Sequence, residues 1–257
     1  DEYVEISDVA YNEVTGETLI LDLGSPGILY FDQHGNFLQK KTSETLKQSG
    51  PSFSAHGDRL LFDRGHYPLD GNNLGVFDAG TLDFKASFIP LSNFNIRWGT
   101  AMENVFSAVQ DTIYYLAPLL YAIYRIPPGG VPEKAYDIDF VEQQPDVKEV
   151  NDQGFTSPQQ FYTYFSQQDI IDRVYGLYVT ESDLFFLFIR DGAIKHHVWF
   201  DRKSGTTKSI YDLKGEIGLT VWNRNIIGTK GTTFIGAIYE PLHKLNIRPS
   251  GQILLFI

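Results

Sequence analysis

Thr18-Leu19-Ile20-Leu21-Asp22-Leu23-Gly24, then Ile28-Leu29-Tyr30-Phe31-Asp32, then Gly35-Asn36-Phe37-Leu38, is a pattern that the chain uses twice. It recurs as Arg59-Leu60-Leu61-Phe62-Asp63-Arg64-Gly65, Leu74-Gly75-Val76-Phe77-Asp78 and Asp83-Phe84-Lys85-Ala86. Each copy reads as a short apolar strand, a turn, a second strand ending in Phe-Asp, a turn and a third strand. Ahead of the first copy, Ile6-Ser7-Asp8-Val9-Ala10-Tyr11 alternates and supplies an innermost strand. A four-stranded antiparallel unit recurring at about 40 to 50 residues is the signature of a β-propeller blade. This settles a fold class, all-β, but no activity.

Working outward, blade one spans residues 4–41 and blade two 51–89. Blade three reads as strands at 105–109, 112–116, 122–126 and 134–140. There Arg125-Ile126 stands in place of Phe-Asp, and Pro127-Pro128-Gly129-Gly130 makes the turn. Blade four has strands predicted at 174–180, 184–189, 196–201 and 207–211, and Trp199-Phe200-Asp201 restores the aromatic-Asp turn. The last unit, 215–257, is degenerate, with strands expected at 220–222, 225–228, 233–239 and 253–257. The reading is one propeller domain over residues 1–257 with five blade-like units, which either close a ring alone or lack a sixth.

Residues 141–169 interrupt the repeat. Ser157-Pro158-Gln159-Gln160 carries the marks of a helix start: Ser at the N-cap, Pro at N1 and Gln at N3. Phe161, Tyr164 and Phe165 follow on one helical face. A short helix near 157–170, within a long inter-blade excursion, is the expectation.

Composition narrows the classes. Aromatic residues make up 14 % of the 257 residues, which suits pleated, half-buried strands. The formal charge of -11 argues against nucleic acid as a partner, which needs a basic face. The absence of cysteine excludes disulfides, thiol catalysis and thiolate zinc sites. No apolar run approaches the length of a membrane span, so no transmembrane segment is expected. The sequence opens at Asp1 with no charged-then-apolar leader. The expectation is that a targeting segment has been removed or that a longer protein contains these residues.

The run Asp1-Glu2-Tyr3-Val4-Glu5-Ile6-Ser7-Asp8-Val9-Ala10-Tyr11-Asn12, with Gly16-Glu17-Thr18-Leu19-Ile20-Leu21-Asp22 and Phe31-Asp32-Gln33-His34-Gly35-Asn36-Phe37-Leu38, resembles the six-bladed β-propeller proteins abundant in Bacteroidetes. These are similar in turn to NHL-repeat and TolB-like propellers. Tyr124-Arg125-Ile126 and Tyr136-Asp137-Ile138-Asp139-Phe140 also resemble a mid-chain pattern of that family. A Gly-Pro-Gly-Glu-Tyr-like segment tends to precede the first blade there, whereas this sequence opens at Asp1-Glu2-Tyr3, so the resemblance implies a missing N-terminal blade. It also implies an exported, periplasmic or outer-membrane-associated protein, often lipid-anchored. It transfers no catalytic residue.

Several constellations have plain structural readings. Asp32, Asp78 and Asp201 follow aromatics and read as turn formers. Asp137 and Asp139 alternate within Tyr136–Phe140 and so share a strand face opposite Ile138; they read as a solvated pair rather than one that binds a metal or performs acid–base work. Asp70-Gly71-Asn72-Asn73 is a turn without the remaining ligands of a calcium loop. His196 and His197 are strand neighbours pointing to opposite faces. No nucleophile elbow or phosphate loop is present. No catalytic residue, metal ligand or cofactor is assigned.

The remaining candidates are loop residues. Loops between a blade's second and third strands share a rim with the links between blades. Arg64, His66 and Tyr67, then Arg97 and Trp98, fall on that rim, with Arg190, Trp222 and Arg224 as further members. Aromatics beside arginines suit a sugar, stacking on its apolar face and bonding its hydroxyls or carboxylate. The expected function is non-catalytic binding of a glycan or protein partner. The alternative is a propeller enzyme, a metal-dependent lactonase or a glycan lyase, with its site at the central channel.

Overall fold

In a computed structural model, residues 6–64, 71–90, 94, 104–140, 143–171, 173–190, 194–210, 224–230 and 233–238 are described. Four antiparallel sheets of four strands follow one another. The first holds β1 (Ile6–Asn12), β2 (Glu17–Asp22), β3 (Gly27–Phe31) and β4 (Phe37–Thr42), in that spatial order. The second holds β5 (Ser52–His56), β6 (Arg59–Asp63), β7 (Asn72–Asp78) and β8 (Phe84–Pro90). The third holds β9 (Phe106–Val109), β10 (Thr112–Ala117), β11 (Ala122–Ile126) and β12 (Glu133–Asp137). The fourth holds β13 (Arg173–Val179), β14 (Asp183–Arg190), β15 (Ile194–Asp201) and β16 (Thr206–Ile210). A pair, β17 (Arg224–Lys230) and β18 (Thr233–Ile238), begins a fifth unit. The expected strands at 220–222 and 253–257 lie outside the described residues.

The first strands of successive sheets meet in chain order: β1 with β5, β5 with β9, β9 with β13, and β13 with β17. Sheets joined edge-inward in this order are the blades of a propeller. Period-two alternation is what lets each blade pack on both faces. In β6, Leu60 and Phe62 join Leu19, Leu21, Ile28 and Phe53 in a core between blades one and two. Leu61, between them, joins Tyr115, Leu116 and Val174 in a second core running through blades two to four.

Strand pairing shifts the repeat by one residue. Ile28 and Leu74 each lie three residues before the Phe of Phe-Asp, and they pair with Leu21 and Asp63. Asp63 therefore matches Leu21, and Arg64 matches Asp22, although the linear pattern aligns the two aspartates. The different loops after β2 and β6 hide the offset.

The fourth strand of blade three ends at Asp137, three residues short of the expectation, so Asp139 lies beyond it. The excursion before blade four holds two helices. The expected one is α2 (Pro158–Gln167), with the Ser157 side chain accepting from the Gln160 N–H at 3.3 Å. Gln160 reaches back to the Thr156 N–H at 2.9 Å. Phe161 and Phe165 of this helix are buried in the larger core. A shorter helix, α1 (Val147–Asp152), is an addition, capped by Asp146 accepting from the Glu149 N–H at 2.9 Å.

Gly176 is a glycine that geometry requires. Gly176 sits at a register shift in β13 with φ of +65°. A Cβ there would lie 2.8 Å from Leu187 Cδ1.

Candidate functional site

The aromatic-Asp turns are built as the residue types imply. Asp32 Oδ1 accepts from the N–H groups of His34 and Asn36, each at 2.8 Å. Asp78 Oδ1 accepts from Gly80 at 2.8 Å and Thr81 at 2.9 Å. Asp201 Oδ1 accepts from Lys203 at 2.8 Å and Ser204 at 3.1 Å. These bonds favour the ionised form. The Asn36 amide holds the Asp32 carboxyl below its ordinary value, and the backbone N–H groups of Thr81 and Ser204 do the same for Asp78 and Asp201.

Asp137 pairs with Lys134 at 2.7 Å on an exposed surface. Asn72 and Asn73 open β7, and their amides reach Ser87 Oγ at 3.0 Å and the Pro90 carbonyl at 3.5 Å. His196 stacks on Phe188 at 4.8 Å, while His197 lies 5.6 Å from Phe185. Among the described residues no group of three or more His, Cys, Asp or Glu is placed to hold a metal ion.

Of the eight loop candidates, Arg64 alone has a described side chain. It is 6 % exposed, with its guanidinium carbon 5.3 Å from the centre of the Phe84 ring. Gly75 makes room for it: a Cβ there would sit 2.6 Å from Arg64 Cδ. Arg190 and Arg224 are placed by backbone only, as the last residue of β14 and the first of β17. His66, Tyr67, Arg97, Trp98 and Trp222 lie outside the described residues.

The opposite rim, formed by turns between first and second and between third and fourth strands, carries contacts that the sequence reading missed. A cation crosses each of three blade boundaries there. Lys41 of blade one donates to the Gly80 carbonyl of blade two at 2.7 Å, beside Tyr30, whose hydroxyl donates to the Ala79 carbonyl at 2.6 Å. Arg59 of blade two donates to the Gly130 carbonyl of blade three at 3.2 Å. Arg202 of blade four donates to the Tyr114 hydroxyl of blade three at 2.6 Å and to the Thr180 carbonyl at 2.6 Å. At the other end of β6, beside the loop to β7, the buried Tyr115 hydroxyl donates to Asp63 Oδ1 at 2.8 Å. Burial, reinforced by Asp63, pushes the Tyr115 phenol well above its ordinary range.

Between blades two and three this rim opens into a groove of about 350 Å³. Val76, Phe77 and Phe88 line it with apolar surface, and Asp58, Arg59, Asp78, Lys85 and the Gly129-Gly130 turn supply polar groups. Lys85 Nζ lies 3.4 Å from Asp78 Oδ2. One of the five guanidinium donors of Arg59 is used on Gly130. A groove with an apolar floor and both signs of charge at its edge can take a sugar ring or a peptide segment.

Residues 1–237 match the family described as a 6-bladed beta-propeller, DUF5128. The chain belongs to that family. The structure is similar to that of a Bacteroides fragilis protein described as exported, at 17 % identity and a TM-score of 0.70, covering 92 % of this chain and 67 % of that one. It is also similar to a catalytically inactive virginiamycin B lyase from Staphylococcus aureus with quinupristin, at 11 % identity and a TM-score of 0.51, covering 100 % of this chain and 71 % of that one. At such identities the likeness is one of fold, and fold alone assigns no chemistry. No curated protein matches the sequence. Among the described residues no helix is long and apolar enough to cross a membrane.

Proposed function

We propose that this propeller is a non-catalytic binding protein of the bacterial cell envelope, exported to the periplasm or the outer membrane, with a glycan or protein partner. The observation that carries the reading is the groove between blades two and three, where Arg59 and Lys85 flank an apolar floor. Arg presents planar donors that match a carboxylate, as on an acidic sugar or an acidic peptide side chain. The Phe88 and Val76 surface supplies contact for a sugar face or an aliphatic side chain. Export is supported by the description of the Bacteroides fragilis protein. The loop residues His66, Tyr67, Arg97, Trp98, Trp222 and Arg224, with Arg190, belong to the same proposal as a second surface on the other rim, whereas Arg64, 6 % exposed, is enclosed at the blade boundary below it.

The test is binding of the purified chain to a glycan array and to an acidic peptide library. Lys85→Ala with Arg59→Gln is expected to abolish the signal while Tm stays within about 4 °C, the shift for roughly 1 kcal/mol. Arg97→Ala with Trp98→Ala reports on the other rim. Loss of binding in the loop pair alone would move the site there and overturn the groove. Silence of the native chain on both arrays would overturn the binding function itself.

A further inference from the structure

The blade repeat fills one place with tyrosine at two boundaries and leaves it open at the boundary between them. Strand pairing sets the correspondence: Ile28 pairs with Leu21 and Lys41, Leu74 with Asp63 and Phe88, and Ile123 with Leu116 and Tyr136. Between blades one and two, Tyr30 is 3 % exposed and its hydroxyl donates to the Ala79 carbonyl at 2.6 Å. Lys41 Nζ lies 4.7 Å from the centre of its ring. Between blades three and four, Arg202 donates to the hydroxyls of Tyr114 at 2.6 Å and Tyr136 at 3.3 Å. Its guanidinium carbon is 5.1 Å from the centre of the Tyr114 ring. Both corners therefore join a tyrosine hydroxyl, a cation and a turn of the next blade.

Between blades two and three the cation is present and the tyrosine is not. Val76 stands at the place of Tyr30, and its cross-strand partner Ala86 at the place of Gln39. Phe88 stands where blade one has Lys41 and blade three has Tyr136. None of these three side chains carries a polar atom, and all three line the groove of about 350 Å³. The groove is thus the space left where Tyr and Gln give way to Val and Ala. Gly129, the counterpart of Gly80 in the next blade's turn, lines it too, and a Cβ there would meet no atom within 4 Å. Val131 lines the groove at 59 % exposure, so it is open to solvent.

We propose that this groove takes a tyrosine side chain presented by a protein partner. The proposal rests on the groove being the binding site, and it selects protein over glycan there. The ring lies on Val76, Ala86 and Phe88, in the place that the Tyr30 ring fills one boundary earlier. The hydroxyl donates to the Gly129-Gly130 turn, as Tyr30 does to Ala79, and accepts from Arg59, as Tyr114 and Tyr136 accept from Arg202. Arg59 spends one donor on the Gly130 carbonyl at 3.2 Å and has others to give. Charge fits the same occupant. Leu19 pairs with Tyr30 and Leu61 with Val76, so Arg59 stands where blade one has Glu17. A phenol oxygen entering the groove therefore meets a cation where the filled boundary has a carboxylate. An acidic side chain would satisfy Arg59 but supplies no ring for the space that Val76 and Ala86 leave.

The test uses peptide arrays in which one central position is fixed as Tyr, Phe or Glu and the others vary, beside a glycan array. Tyr-fixed peptides are expected to bind the native chain at least about tenfold more tightly than Phe-fixed or Glu-fixed ones, the effect of one hydrogen bond from a charged donor. Val76→Tyr rebuilds the Tyr30 corner from within, so it should abolish that binding while Tm holds or rises. Arg59→Gln keeps the apolar floor and should bring Tyr-fixed peptides down to the Phe-fixed level; if Val76→Tyr lowers Tm, this variant decides alone. Equal binding of the Tyr and Phe sets by the native chain would overturn the proposal. Glycan binding without a tyrosine preference, lost in Val76→Tyr, would overturn it and leave the groove standing as the site. A tyrosine preference that survives both substitutions would overturn the proposal and the groove together.

Discussion

Tyr115→Phe removes one oxygen atom from the seam between blades two and three and changes no other contact. The ring lies fully buried in β10, and its hydroxyl donates at 2.8 Å to Asp63, itself 1 % exposed at the end of β6. A hydrogen bond to a charged group contributes about 1.5–3 kcal/mol, and removing one partner leaves the other with its desolvation cost. The upper part of that range applies, because water has no access to replace the donor. For a chain of this size each kcal/mol moves Tm by about 2–4 °C, so the expected fall is on the order of 4–12 °C. Thermal unfolding followed by circular dichroism at neutral pH measures it. A double-mutant cycle with Asp63→Asn then isolates the pair, with a coupling of at least about 1 kcal/mol expected. A fall of under about 1 °C, or strict additivity in the cycle, would refute the assignment of this bond as a link between blades.

Other substitutions test other seams. Arg202→Met should cost about 1–3 kcal/mol by chemical denaturation, since it strips the Tyr114 hydroxyl and the Thr180 carbonyl of a charged donor; an unchanged midpoint would show the contact to be incidental. Ser157→Ala should lose about 1 kcal/mol through the α2 cap, and Ser157→Asp should restore it. Gly176→Ala should cost on the order of 1–3 kcal/mol from its positive φ and the clash with Leu187. Asp32, Asp78 and Asp201 have folded values below the ordinary 3.8, so the stability they supply is present above that pH and is lost as pH falls through the folded values. The Tm gap between Asp201→Asn and the native chain should accordingly be full at neutral pH and close below 3.8; a gap that is constant down to low pH would assign the effect to something other than the carboxylate.

What the sequence made legible, and what it did not, follows the range of each interaction. The aromatic-Asp turns could be read because Asp32 and Asp201 bond N–H groups within four residues of themselves. The α2 helix could be read because Ser157, Pro158 and Gln160 act within one turn, whereas α1 is too short to show a period. The one-residue shift between Asp22 and Asp63 could not be read, because register belongs to the partner strand, and the loops that set it differ in length. The rim cations were invisible for the same reason: Arg59 meets Gly130, and Arg202 meets Tyr114, across separations of 71 and 88 residues. Arg64 shows the cost of that blindness. In sequence it is a polar loop residue beside His66, and so a natural ligand contact. In the fold it takes the position that Asp22 holds in blade one, and its guanidinium lies over Phe84 in a slot that Gly75 leaves open. Gly75 faces the same blade boundary as Phe62 and Phe77, so that slot exists only where two blades close on each other. A residue type suggests a chemistry, but the neighbouring blade decides whether that chemistry faces water.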